Sequence, residues 1–109
     1  MQTARAKAAD LNINIVLKND YTLIVTPKGS VYFNSTSNPA MATGGMGDVL
    51  TGIITSLLAQ KYTSEEASIL GVYIHGKAGD DLAVPNRANV VLPSQVMLKL
   101  PATMAKLLA

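Results

Sequence analysis

An α/β fold with few strands and several helices is predicted by three features of this chain. Short β-branched runs fill its first third, a Pro-Lys-Gly-Ser turn separates two of them, and long apolar stripes at helical spacing follow. The element order reads α-β-β-β-α-α-α. Residues 2–10 are Ala-rich and predict a short helix. Ile13-Asn14-Ile15-Val16-Leu17 is a mostly apolar strand of the kind buried in a parallel sheet. Thr22-Leu23-Ile24-Val25-Thr26 and Val31-Tyr32-Phe33 flank Pro27-Lys28-Gly29-Ser30, where Pro suits the second turn position and Gly29 can take positive φ, so a hairpin is expected.

The first long helix follows from spacing. Met46, Val49, Leu50, Ile53, Ile54, Leu57 and Leu58 recur every three or four residues and make one apolar stripe. The opposite face, Thr51, Gly52, Thr55, Ser56 and Ala59, is small and predicts close approach of a neighbouring element, with the helix deeply sunk. A second helix begins at Thr63, with Glu66 three residues on completing a capping box, and carries Ile69, Leu70, Tyr73 and Ile74. Gly71, Gly76 and Gly79 lower its intrinsic propensity, so close helix packing must compensate. Pro93-Ser94 and Pro101 mark the starts of two short terminal helices. Met41, Met46, Met97 and Met104 are assigned to the core.

A chain of 109 residues with 49% apolar composition has room for one small domain and can bury a core. Its net charge of +2 comes from nine scattered Lys and Arg residues, and aromatics are few, so nucleic acid is not an expected partner. Cysteine is absent, which removes thiol catalysis and disulfides and fits a reducing compartment. No apolar run reaches spanning length and the start lacks a signal-peptide core, so no membrane partner and a cytoplasmic location are expected. Three strands make a thin sheet for a strand as apolar as Ile13 to Leu17. The chain is therefore expected to form a homo-oligomer or to belong to a longer polypeptide.

Chemistry is concentrated in Asn38-Pro39-Ala40-Met41-Ala42-Thr43-Gly44-Gly45-Met46-Gly47-Asp48, a glycine-rich turn running into the first long helix. Glycines let successive N–H groups converge, and the aligned peptide dipoles favour an anion there, most simply a phosphate. Asp48 would repel such a guest unless it has a task of its own. Two tasks are open from spacing alone: capping the helix, or removing a proton from a hydroxyl that attacks phosphorus. Lys18, at the end of the first strand, either meets a phosphate or emerges into solvent. His75 is assigned to packing, and Asp80 and Asp81 to a solvated face or a helix end, since neighbours on a helix point in different directions.

With these residues laid out, the chain resembles the carboxy-terminal part of the ADP/ATP-dependent NAD(P)H-hydrate dehydratases of the ribokinase-like superfamily. The resemblance rests on Val16-Leu17-Lys18 followed by Thr22-Leu23-Ile24, on Asn38 to Gly52, on Gly71-Val72-Tyr73-Ile74-His75-Gly76, and on Ala78-Gly79-Asp80. It implies that residues 1–109 are one partial domain, the carboxy-terminal portion of a ribokinase-like three-layer sandwich, with no separate second domain. It further implies that Lys18, Asn19, Asp20, Tyr21 and Thr22, together with Asn38, Pro39, Ala40, Met41, Ala42, Thr43, Gly44, Gly45, Met46 and Gly47, line an adenine-nucleotide site. Asp48 would contact hydrated NADH or NADPH and act as the base. ADP or ATP is the implied co-substrate, with Mg2+ held by substrate phosphates and water. Asn19 and Ala40 depart from the family pattern, which favours glycine at both places. A small-molecule kinase of the same superfamily is the alternative enzyme. An inactive nucleotide-binding or assembly fragment is the alternative of another class.

Overall fold

The computed structural model describes residues 2–18, 21–86 and 90–108. Helix α1 (Gln2–Leu11) leads to strands β1 (Ile15–Leu17), β2 (Leu23–Val25) and β3 (Val31–Phe33), then to helices α2 (Met46–Ala59), α3 (Ser64–Asn86) and α4 (Pro93–Leu108). A single 3-10 turn, Pro39–Met41, precedes α2.

The sheet has the order β1-β2-β3 and both pairings are antiparallel, with Val16 opposite Ile24 and Ile24 opposite Tyr32. The parallel type expected for the first strand is therefore not its pairing here, and the strand is shorter than its apolar run. The reason lies at the end of α1. Asn12 takes a left-handed φ of 53°, the Asn12 N–H donates to Ala9 O and the Ile13 N–H to Ala8 O, a Schellman closure that uses Ile13 for the helix cap. Asn14 then donates to Ser64 Oγ, and the ladder starts at Ile15. The β2–β3 hairpin turns as expected, with Gly29 at φ 92° and the Thr26 and Ser30 backbones joined across it.

Alternation puts Val16 and Ile24 on one face of the sheet, where they meet Leu50 and Ile54 of α2 and Ile69 and Val72 of α3. Helix α1 covers β2, with Ala8 fully buried. A second apolar cluster joins Met41, Met46, Ala78, Val91 and Val96 and ties α2, α3 and α4 together. The result is a helix layer on either side of a short sheet.

Helix α2 carries its apolar stripe inward through Met46, Leu50 and Leu57, but its small face, Thr51, Gly52, Thr55, Ser56 and Ala59, is exposed rather than sunk. Its end is closed by Lys61 at φ 78°, with the Tyr62 N–H donating to Leu57 O. The capping box of α3 forms reciprocally: the Glu66 N–H donates to Thr63 Oγ1 at 3.1 Å and the Thr63 N–H to Glu66 Oε1 at 2.9 Å. Gly71 admits Ile54 of α2, as the packing argument requires.

Two expectations fail in the last element. Pro101 lies inside α4 and does not start another helix. Proline removes one hydrogen bond to the carbonyl four residues back, that of Met97, but both residues are exposed, so water can serve the freed group. Val96 and Thr103, on either side of the gap, are buried, and the helix continues through it. Met97 is likewise exposed, not core, while Met41 and Met46 are buried and Met104 is half-buried.

Candidate functional site

The turn from Asn38 to Gly45 is braced on two sides. Asn38 Oδ1 accepts from the Ala40 N–H at 3.0 Å, closing the 3-10 turn. The Val91 N–H donates to Ala40 O at 2.7 Å, and Thr43 Oγ1 donates to Val91 O at 2.9 Å, so the segment before α4 clamps the loop. Gly45 then takes φ 92°, the left-handed conformation glycine adopts without penalty, and a side chain there would press on the Pro93 ring.

This places Gly45 at the N-cap of α2 without a side-chain cap. Among the described residues, the Gly47 and Asp48 N–H groups make no hydrogen bond. They point out of the first turn, where the helix dipole favours negative charge. Lys18, carried to the same place by the end of β1, puts its Nζ 3.8 Å from where a Cβ on Gly47 would stand. The Lys18 cation and Gly47, with its free amide, thus border one space.

That space is a cavity of about 890 Å³. Of the residues expected to hold a nucleotide, Lys18, Tyr21, Thr22, Asn38, Pro39, Met41, Ala42, Thr43, Gly45, Met46 and Gly47 line it. Ala40 and Gly44 do not; Ala40 has both backbone groups engaged in bracing the loop. Asn19 and Asp20 lie outside the described residues. The cavity wall also includes Asn34 to Ser37 and His75, which the sequence reading did not assign to the site. The polar run Asn34-Ser35-Thr36-Ser37 directly ahead of Asn38-Pro39 was the available signal.

Asp48 lies elsewhere. It lines a second, mostly apolar groove of about 400 Å³ between α2 and α4, with Val49, Ile53, Met97 and Leu100 among its neighbours. Its exposed carboxylate makes no hydrogen bond or ion pair among the described residues, so it is not spent as a cap. The first turn of α2 therefore borders two spaces, one with Lys18 and one with Asp48.

His75 packs, as expected, at 6% exposure, yet its Nε2 is buried with no partner among the described residues. Burial, with help from the nearby Lys18 ammonium, pushes the imidazole down to about 4, against an opposing hydrogen bond with the Met46 backbone. The ring is neutral at pH 7. Because the unfolded chain takes up this proton first, stability is full above pH 6.5 and falls as pH drops toward 4. The loss amounts to roughly 3 kcal/mol. Melting curves of wild type should show it, and His75→Gln should flatten the profile over that window. Glu66, whose carboxyl is held low by the Thr63 N–H, acts only below its ordinary value of 4.5. A wild-type profile that is level between those limits would count against the buried neutral ring.

Asp80 and Asp81 are not a solvated face. Asp81 pairs with Lys77 at 3.1 Å, and Asp80 reaches across to the loop, its carboxylate accepting from Asn38 Nδ2 at 2.7 Å and the Ser37 N–H at 3.1 Å. Among the described residues no three acidic or histidine side chains gather to hold a metal, and no helix is long and apolar enough to cross a membrane.

Comparison with known proteins decides the family. The model for NAD(P)H-hydrate dehydratase matches residues 1–102. The chain belongs to the NAD(P)H-hydrate dehydratase family. Its relatives include the ADP-dependent (S)-NAD(P)H-hydrate dehydratase of Enterococcus faecalis, 44% identical over 90% of this chain and 33% of that protein. The bifunctional NAD(P)H-hydrate repair enzyme Nnr of Moorella thermoacetica is 38% identical over 98% of this chain and 20% of its own length. The crystal structure of the ADP/ATP-dependent NAD(P)H-hydrate dehydratase of Bacillus subtilis, co-crystallised with ATP and Mg2+, superposes with a TM-score of 0.86 at 33% identity, covering 96% of this chain and 38% of that one. This dehydratase-family chain thus has the carboxy-terminal architecture of the ribokinase-like fold and spans about a third of the length of the dehydratases it matches.

Proposed function

We propose that this chain carries the adenine-nucleotide half of a site that dehydrates hydrated NADH or NADPH, with Asp48 as the base. The observation that supports it most is the shared first turn of α2. Gly45, Met46 and Gly47 border the cavity holding Lys18, whereas Asp48 borders the opposite groove. A nucleotide in the larger cavity would bring its terminal phosphate to the free amides while a substrate hydroxyl approached from the Asp48 side.

The fit to a nucleotide is physical. A cavity of about 890 Å³ is of the size of small-molecule sites, and Lys18, Thr43 and the Gly47 amide are among the polar groups on its wall. When bound, ADP or ATP supplies a phosphoryl group that turns the ring hydroxyl of the hydrate into a leaving group. Asp48 takes the hydroxyl proton as the oxygen attacks phosphorus and the phosphoanhydride bond breaks. The amides of the glycine-rich turn hold the charge on the transferred group, and Lys18 balances the phosphates. Phosphate then departs, pushed out by the ring nitrogen lone pair, and loss of a proton from the adjacent ring carbon to water restores the carbon–carbon double bond. Mg2+ would be held by the phosphates and water.

The chain's exposed Leu58, Met97 and Leu98 support the reading that it works within a longer polypeptide or an assembly. The test is to incubate this chain, and a longer form of the relatives' length, with hydrated NADH and ADP or ATP and to follow the return of NADH absorbance. Lys18→Ala is expected to weaken ADP and ATP roughly ten-fold or more, the worth of a charged hydrogen bond. No return of absorbance with the longer form, but phosphorylation of a simple alcohol, would establish the kinase alternative instead.

A further inference from the structure

Helix α3 presents one face to the loop that runs from Asn34 to Met41, and the residues along that face are specialised for the contact. Gly76 lies under Thr36: an added Cβ would overlap the Thr36 hydroxyl and stand 2.8 Å from its carbonyl carbon. Thr36 Oγ1 donates to Tyr73 O at 3.0 Å, fixing the start of the loop to the helix backbone. One turn later, Gly79 leaves room for the Met41 side chain at the loop's far end. Asp80 completes the series.

The Asp80 carboxylate spends one oxygen on the Ser37 N–H and the other on Asn38 Nδ2. Ser37 sits at φ 105°, a conformation costly for a residue with a side chain, and it persists only where its surroundings hold it. Asn38, gripped through its amide nitrogen, is left with Oδ1 directed at the Ala40 N–H, which sets the 3-10 turn. The chain of contacts runs from helix α3 through Asp80 and Asn38 to the turn that walls the cavity.

We propose that Asp80 is a positioning residue of the nucleotide site: without touching the ligand, it holds Ser37 and Asn38 so that the loop carries the geometry that admits an adenine nucleotide. The proposal rests on the nucleotide reading above. Asp80 acts through the loop, so its removal should damage binding more than folding. Because both carboxylate oxygens accept, Asn, its near isostere, should be a poor replacement: an amide has one acceptor oxygen, and its NH2 would face a donor.

The test uses the full chain with ADP and ATP in the presence of Mg2+. Asp80→Asn and Asp80→Ala are expected to raise both dissociation constants roughly 10–100-fold. Asn38→Ala combined with Asp80→Ala should be no worse than the larger single effect, because both cut one path. Asp81→Ala, which breaks the neighbouring ion pair with Lys77, should change affinity less than about two-fold. Amide exchange without nucleotide gives a separate readout, with Ser37 and Ala40 exchanging faster in Asp80→Asn at a temperature where the variant is fully folded. Unchanged exchange at these amides, or unchanged affinity with only a lower melting temperature, overturns the role. If wild type binds neither nucleotide, the nucleotide reading falls and takes this role with it, whereas binding by wild type and equally by Asp80→Ala sinks this inference alone.

Discussion

Asp48→Asn should lower the recovery of NADH from its hydrate by roughly 10²–10⁴-fold, the usual contribution of a positioned general base. Binding of ADP and ATP should change little, because Asp48 does not line the cavity that Lys18 and the loop enclose. The competing role is electrostatic support of the helix: an acid in the first turn of α2 is worth about 0.3–1 kcal/mol to the macrodipole. The two roles separate in measurement. A base gives a large fall in rate with a small change in melting temperature; a helix-dipole residue gives the reverse. The proposed base role expects the first outcome; the carboxylate makes no hydrogen bond among the described residues and stands exposed at the rim of the second groove, where a substrate hydroxyl could reach it. Assays on this chain and on the longer form check it. Wild-type rates in Asp48→Asn would remove the base assignment.

Gly76→Ala should be among the most damaging single-methyl changes in the chain. In an exposed helix interior the same substitution would gain about 1 kcal/mol of propensity. Here the methyl meets Thr36 backbone at 2.8 Å, and backbone cannot rotate away as a side-chain tip can. Overpacking of this kind costs about 1–3 kcal/mol, and loss of the Thr36 to Tyr73 hydrogen bond adds about 1. A net destabilisation of about 2 kcal/mol is expected, visible as a fall in melting temperature of roughly 10 °C. Gly52→Ala is the control, because nothing lies within 4 Å of an added Cβ there. It should leave stability unchanged or raise it slightly. Equal melting temperatures for the two variants would mean that α3 and the loop are not in this contact.

Much of the fold was legible because its signals are local. The Thr63–Glu66 capping box, the Pro27 to Ser30 turn and the stripe from Met46 to Leu57 each involve residues within one or two turns of one another. Errors arose where a distant or competing interaction intervened. Ile13 has the character of a strand residue, but its N–H is taken by the cap of α1. Pro101 has the character of a helix start, but buried neighbours on α4 carry the helix through it. In the site, the glycine-rich turn was readable from its own spacing, and the likeness of Lys18 to Thr22 to the family came from their order. Asp80 was assigned to a solvated face or a helix end, because nothing near it in the chain reveals partners 42 and 43 residues away.

By itself the sequence determined the three short strands, the helix after the glycine-rich turn, the family, and a glycine-rich turn ending in one acid. Those are properties of neighbouring residues: periodicity, φ preference and motif order. Only the tertiary structure decided that Lys18 stands over Gly47, that Asp48 faces a different groove, that the His75 ring is neutral, and that Asp80 holds Ser37 and Asn38. Each of these joins groups from separate elements. Their distances are set by how α2 and α3 pack on the sheet and on each other, and the burial that perturbs a titration exists only once that packing is complete.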